Sequence, residues 1–272
     1  MTVPEALILG ITQGLTEFLP VSSSGHLVLV PEFFNFSTPT LGFDIVVHLA
    51  TLLAVVAYFM REVRKIVVSL VAPGRMSRPE VMFWRRLFLW LVIGSVPAAI
   101  AGFGFSSFFE EMFESTLAVG IFLLVTSALL LASDLALGRV RREPAKLDKM
   151  KPVDALLVGC FQALAIAPGL SRSGSTIAAG VLLGFDRPSA ARFSFLLSIP
   201  AIFGAFLASL GGVGGGFAGV SAWAYIVGAL AAALTGFLAI YLLMRYVKKH
   251  RMLLFAIYTA LLGVLVIVLS AA

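Results

Sequence analysis

Six stretches of the chain, at about residues 41–60, 87–104, 116–138, 193–210, 221–245 and 252–270, are almost continuously apolar. Each is close to the ~20 residues a helix needs to cross a ~30 Å hydrocarbon core, where backbone N–H and C=O groups must be satisfied within the protein. The expectation is an all-α polytopic membrane protein. Composition agrees: 60% of the 272 residues are hydrophobic and 12% charged, with a mean hydropathy of +1.03, which excludes a soluble domain and a disordered or collagen-like chain. A single cysteine, Cys160, excludes a disulfide framework and a cysteine-rich metal cluster, so any metal falls to oxygen ligands or the three histidines. The first residues lack the basic stretch of a signal peptide, and Val3 onward is expected to be working structure.

Two further apolar segments, 3–19 and 153–167, are too short to span. They are followed by Pro20 and by Pro168-Gly169, and then by second short apolar runs at 24–35 and 173–184. At ~1.5 Å per residue, a 15-residue helix reaches only ~22 Å. The segments 3–35 and 153–184 therefore read as re-entrant helical hairpins, whose broken backbone must be buried in protein or face a watery cavity. Of the twenty Lys and Arg residues, seven lie in 61–86, six in 139–151, two in 187–192 and four in 245–251. All these segments fall on one side of a six-span layout, the cytoplasmic side by the positive-inside rule. The opposite side carries Glu110, Glu111 and Glu114, and the outer loop at Gly211–Gly216 suggests no site. Both termini are then outside, the first hairpin enters from the outside and the second from the cytoplasm. The formal charge of +6 is a topology signal, and nucleic acid is not an expected partner.

An offset of 149 aligns residues 5–25 with 154–174 without a gap, and eight of the 21 positions are identical, among them Gly10/Gly159, Gln13/Gln162, Ser22/Ser171, Ser24/Ser173 and Gly25/Gly174. The chain thus divides into a first repeat, 1–138, a basic linker, 139–152, and a second repeat, 153–272. Each repeat has one hairpin and three spans. Three is odd, so the halves are inverted, an arrangement that places polar sites near the midplane where broken helices meet.

Where the halves differ is informative. Glu17 aligns with Ile166, and Ser23 with Arg172. A lone ionised side chain at membrane depth costs at least ~2.5–3.5 kcal/mol, so Glu17 and Arg172 at the two hairpin tips are each other's obvious partners. They form either a buried ion pair that pins the hairpins or part of a site. Gln13 and Glu17 are spaced i, i+4 on one helix face. Ser22, Ser23 and Ser24 sit where a second helix begins, with His26 on its first turn. Amides at such a start, with hydroxyls beside them, make an anion site. The run Ser171-Arg172-Ser173-Gly174-Ser175-Thr176 makes another, to which Arg172 adds a guanidinium fork suited to phosphate.

The stretch Gln13-Gly14-Leu15-Thr16-Glu17-Phe18-Leu19-Pro20-Val21-Ser22-Ser23-Ser24-Gly25-His26 resembles the E/Q-x-x-x-E signature and serine-histidine run of the undecaprenyl-diphosphate phosphatases of the bacitracin-resistance type. The stretch Pro168-Gly169-Leu170-Ser171-Arg172-Ser173-Gly174-Ser175-Thr176 resembles their second signature, P-G-x-S-R-S-x-x-T, and similarity extends through residues 43–55 and 192–205. The resemblance implies an integral membrane enzyme that hydrolyses the C55 isoprenyl diphosphate to the monophosphate carrier of wall synthesis. It also implies a divalent cation, and Glu17, Ser23, His26 and Arg172 as the active set. Gln13 stands where many members carry a first Glu, which argues against a two-carboxylate metal cage.

Phosphoryl transfer needs neutralised charge and an in-line nucleophile. Arg172, the helix starts and one Mg2+ or Ca2+ on Glu17 supply the first. Ser23 is the expected nucleophile, with His26 as base or Glu17 assisting, and direct attack by His26 is the rival mechanism. Gln13, Ser22, Ser24, Ser171, Ser173 and Thr176 are the expected substrate-binding residues. Asp44 and His48, also i, i+4, are candidates for an outer layer of the site, Glu5 and Asp154 for helix caps, and Trp84, Trp90 and Trp223 for interfacial anchors. The expected partners are the isoprenyl diphosphate lipid and membrane lipids, and the sequence leaves a homodimer open. The alternative function is a transporter or flippase of the carrier lipid, since inverted hairpin repeats also build transporters.

Overall fold

The computed structural model describes residues 1–113, 115–139, 143–209 and 219–270, apart from the side chains of residues 106, 110, 138 and 139. Glu114, Arg141, Arg142 and the Gly211–Gly216 loop, all used in the sequence analysis, lie outside the described residues. Those described form twelve α-helices and no strand: α1 (Val3–Phe18), α2 (Ser23–Phe34), α3 (Leu41–Tyr58), α4 (Met60–Val71), α5 (Arg78–Gly104), α6 (Ser106–Phe113), α7 (Thr116–Arg139), α8 (Pro152–Leu164), α9 (Arg172–Leu182), α10 (Arg187–Ser209), α11 (Ala222–Tyr246) and α12 (Leu253–Ser270). Six of them, α3, α5, α7, α10, α11 and α12, are long and apolar enough to cross a membrane. The protein is a multi-pass membrane protein.

Two spans start earlier than expected. Helix α5 begins at Arg78 and α10 at Arg187, rather than at 87 and 193. Basic residues end an apolar run without ending a helix, and Ser77 with Glu80 caps α5: the Ser77 N–H and hydroxyl both donate to Glu80 Oε2, at 3.3 and 2.8 Å. Helices α4 and α6 lie where the sequence suggested only polar connections. Trp84 is a correction of another kind. It is buried, with 6% of its surface exposed, and Lys65 and Arg192 lie 5.4 and 6.0 Å from its ring. Instead of anchoring at the lipid interface, it packs among charges that face it. Trp90 donates to the Met150 carbonyl at 3.2 Å, and Trp223 is exposed.

The breaks between α1 and α2 and between α8 and α9 follow from local chemistry. Helix α1 is capped by Thr2 and Glu5 and stops before Leu19, whose ψ of 144° is the extended conformation that a following proline favours. Ser22, at φ 71°, turns the chain, and its Oγ accepts from the Gly25 N–H at 3.3 Å to start α2. In α8, Asp154 accepts from the Lys151 N–H at 2.8 Å. Gly169, at φ 87°, presses so closely on the Val119 carbonyl that a Cβ would collide with it. Ser171 then starts α9 by accepting from the Gly174 N–H at 3.0 Å. Ser22/Gly25 and Ser171/Gly174 are matching pairs of the repeat.

Helix α1 does not pack mainly on its own half. Gly10 lies against the backbone of Gly228 on α11, and Gly14 against Ala232 and Gly236 of the same helix. Helix α8 makes the matching crossing, with Gly159 on Gly94 of α5. Without a side chain the backbones approach closely, which is how helices associate where water supplies no driving force. Phe18, Ile177, Phe193, Phe195 and Leu196 belong to one fully buried core, and Phe18 meets Phe195 edge-on at 5.7 Å.

Candidate active site

The end of α1 and the start of α9 meet. Arg172, the first residue of α9, donates from Nη2 to Glu17 Oε1 at 2.6 Å, joining residues 155 apart in sequence. Ser173 donates to the Leu19 carbonyl at 2.9 Å, and Gly25 lies beside Gly169. Glu17 is the penultimate residue of α1, with 7% of its surface exposed. A carboxylate buried this far holds its charge only with donors around it, and both oxygens have them. Besides Arg172 on Oε1, Oε2 accepts from Ser23 Oγ at 2.5 Å and from Gln13 Nε2 at 3.1 Å. His48 Nε2 on α3 stands 3.9 Å from that same oxygen.

Gln13, Glu17, Ser23 and Arg172 therefore form one connected group, and the serine hydroxyl points its proton at the carboxylate. His26 does not join Ser23. Its Nδ1 is 2.7 Å from the Ser22 carbonyl, and its Nε2 is 2.6 Å from the Tyr258 hydroxyl on α12. The remaining hydroxyls frame the two helix starts in parallel. Ser22 and Ser24 are 3.3 Å apart, and their repeat partners Ser171 and Ser173 are 3.2 Å apart. Thr176 is bonded at 2.6 Å to Ser194 and at 2.8 Å to the Arg172 carbonyl. Asp44 contributes its backbone carbonyl, bonded to His48 Nδ1 at 2.7 Å, and one of its carboxylate oxygens is buried without a hydrogen-bond partner.

Two features of the site region, and one ion pair elsewhere in the fold, were absent from the sequence reading. Tyr258 is one; a phenol within an apolar span was the available signal, but its partner lies 232 residues away. Thr126 on α7 is the second: it accepts from the Ser171 N–H at 3.0 Å and donates to the Gly169 carbonyl at 3.2 Å, fastening the turn before α9. The third is Asp134, inside an expected span, whose Oδ1 takes Arg187 Nε at 3.0 Å and Nη2 at 2.6 Å. Gln162, the repeat partner of Gln13, is buried with neither amide atom bonded.

This chemistry, a half-buried serine on a buried carboxylate with a guanidinium on the other oxygen, coincides with the sequence comparison. The family described as Bacitracin resistance protein BacA matches residues 6–265. The chain belongs to this family. Proteins named undecaprenyl-diphosphatase are close relatives within BacA. That of Moorella thermoacetica is 43% identical over 267 residues, covering 98% of this chain and 97% of its own length. That of Desulforudis audaxviator is 43% identical over 266 residues with the same coverage, and that of Thermomicrobium roseum is 42% identical over 277 residues, covering all of both chains.

No three Asp, Glu, His or Cys side chains are grouped for a metal among the described residues. Gln13 Oε1, however, is a buried oxygen without a hydrogen-bond partner beside Glu17. One amide oxygen and one carboxylate suit a hard cation that takes its other ligands from phosphate and water, the usual habit of Mg2+.

Proposed function

We propose that the chain hydrolyses undecaprenyl diphosphate to undecaprenyl phosphate and inorganic phosphate, recycling the lipid carrier of bacterial wall synthesis. The observation that carries this is the Ser23 hydroxyl at 2.5 Å from Glu17 Oε2, with Arg172 on the other oxygen and two helix starts converging on it. Full-length relatives named undecaprenyl-diphosphatase support the substrate.

Ser23 Oγ attacks the terminal phosphorus while its proton passes to Glu17, the bridging P–O bond breaks, and the lipid monophosphate leaves. Water then attacks the phosphoserine phosphorus, the P–O bond to Ser23 breaks, Glu17 returns its proton to Ser23 Oγ, and the water's proton leaves with inorganic phosphate. The amides that open α2 and α9 face the phosphate oxygens, and the Arg172 N–H groups not used by Glu17 neutralise their charge. Ser22, Ser24, Ser171 and Ser173 line this cradle, whereas Thr176 holds α9 to α10 through Ser194. Attack by His26 is disfavoured because both its ring nitrogens are engaged away from Ser23. Gln13 and Glu17 would hold the divalent cation together with the diphosphate. When bound, that ion neutralises phosphate charge.

The architecture behind this is an inverted repeat, 1–138 and 153–272, with hairpins 3–35 and 153–184 entering a bacterial cell membrane from opposite sides. The site then opens to the outside, where diphosphate is exposed, and the basic segments face the cytoplasm. Contact of the hairpin tips through Ser173 and Leu19 supports this picture. Hydrolysis of the lipid diphosphate in detergent is the test, because a transporter needs two sides and an enzyme does not. Release of phosphate, lost in Ser23→Ala with lipid diphosphate binding retained, is the expected result. Persistent turnover in Ser23→Ala would remove Ser23 as nucleophile, and absence of release by the unaltered chain would overturn the enzyme reading.

A further inference from the structure

His26 is held by contacts that the reaction above leaves unused. Its Nδ1 faces the Ser22 carbonyl at 2.7 Å, and a carbonyl oxygen has no proton to give, so Nδ1 carries the hydrogen. In the neutral ring, Nε2 is then the lone-pair nitrogen. That lone pair lies 2.6 Å from the Tyr258 hydroxyl, which must donate. The rings are stacked, 5.8 Å apart and 9° from parallel. Tyr258 belongs to α12, a helix whose main neighbour is α7. Its residue surface is 44% exposed, yet its hydroxyl reaches inward to a histidine that is 8% exposed.

The contacts continue toward the nucleophile. Ser22 holds a φ of 71°, which a residue with a Cβ keeps only when its surroundings enforce it. The His26 Nδ1–H bond to the Ser22 carbonyl is one enforcing contact, and the Ser22 cap on Gly25 is another. Ser23 is the next residue. We infer that Tyr258 is a positioning residue for the reaction proposed above: its hydroxyl fixes the tautomer and rotamer of His26, and through His26 and Ser22 it holds the turn that aims Ser23 at Glu17. The bond also survives protonation of His26, since Nε2–H then donates to the phenol oxygen, so the ring stays in place in either charge state.

The test is Tyr258→Phe, which keeps the stacked ring and removes only the oxygen. Turnover is counted per folded protein, and the histidine ring nitrogens are followed by NMR of isotope-labelled protein, with the His26 signals assigned through their loss in His26→Ala. The expected result is a kcat lower by about tenfold, roughly the loss of one aligning hydrogen bond, with KM within about threefold and a displaced His26 Nε2 signal. An unchanged kcat overturns the inference. So does a fall in kcat that leaves the His26 signals where they were, because Tyr258 would then act through packing alone. Should the unaltered chain release no phosphate, the proposed function fails, and the NMR comparison still decides whether Tyr258 fixes the ring.

Discussion

Replacing Arg172 by Lys separates geometry from charge at the centre of the site. In the structure the guanidinium gives one N–H to Glu17 Oε1 at 2.6 Å, which leaves up to four of its five donors for phosphate. An ammonium keeps the charge and the pairing with Glu17, so the fold should survive. What it loses is the planar pair of parallel bonds to phosphate oxygens. A hydrogen bond to a charged group is worth about 1.5–3 kcal/mol, and at ~1.36 kcal/mol per decade the expected loss in kcat/KM is roughly ten- to 150-fold. The assay is phosphate release from lipid diphosphate in detergent per folded protein, with folding followed by thermal unfolding. The charge-removing variants complete it: Glu17→Gln or Arg172→Gln alone strands a buried partner and should cost about 3–5 kcal/mol. The double variant should recover most of that stability through the coupling of the pair and still release no phosphate. A Lys variant within threefold of the original, or turnover by the double variant, would refute the catalytic assignment and leave Arg172 as a pin between hairpins.

Other expectations are quicker to check. With the native Cys160 replaced by Ser, a cysteine at Glu111 should react with an impermeant thiol reagent in intact cells and one at Lys146 should not; the reverse labelling would invert the proposed orientation. Gly159→Leu should prevent α8 from seating on α5, because even its Cβ would run into the Gly94 backbone; a loss of at least about 2 kcal/mol is expected, read as earlier thermal unfolding in detergent. Gln13→Glu places a second carboxylate beside Glu17, so half-maximal turnover should need less Mg2+ than in the unaltered chain, and an unchanged Mg2+ titration would exclude Gln13 from the cation's ligands.

The spans were readable because length and apolarity are what the bilayer demands, and Pro20 and Gly169 marked the breaks for the same local reasons seen in the structure. The meeting of Glu17 with Arg172 was readable too, since two lone charges in apolar hairpins had few other partners. Helix starts were less accessible. Hydropathy reports where the membrane begins, so the first nine residues of α5 and the whole of α4 were hidden behind arginines. Ser23 facing Glu17 rather than His26 depends on how a φ of 71° at Ser22 rotates the following turn, and no periodicity reveals that. Tyr258, Thr126 and the Asp134–Arg187 pair needed three-dimensional neighbours; only Asp134, an acid inside an apolar run, carried a signal that was overlooked.

The crossing of α1 onto α11 and of α8 onto α5 bears on how the protein is made. Glu17 leaves the ribosome 155 residues ahead of Arg172, which at ~5–20 residues per second is roughly 8–30 s of synthesis. Gly10 waits longer still for Gly228. Throughout that interval the first hairpin has neither its counter-charge nor the helix on which it finally lies. Three complete spans, α3, α5 and α7, are laid down between it and α9. Assembly of the site therefore waits until α9 has been made, and a chain truncated before α9 leaves the buried Glu17 carboxylate without its counter-charge.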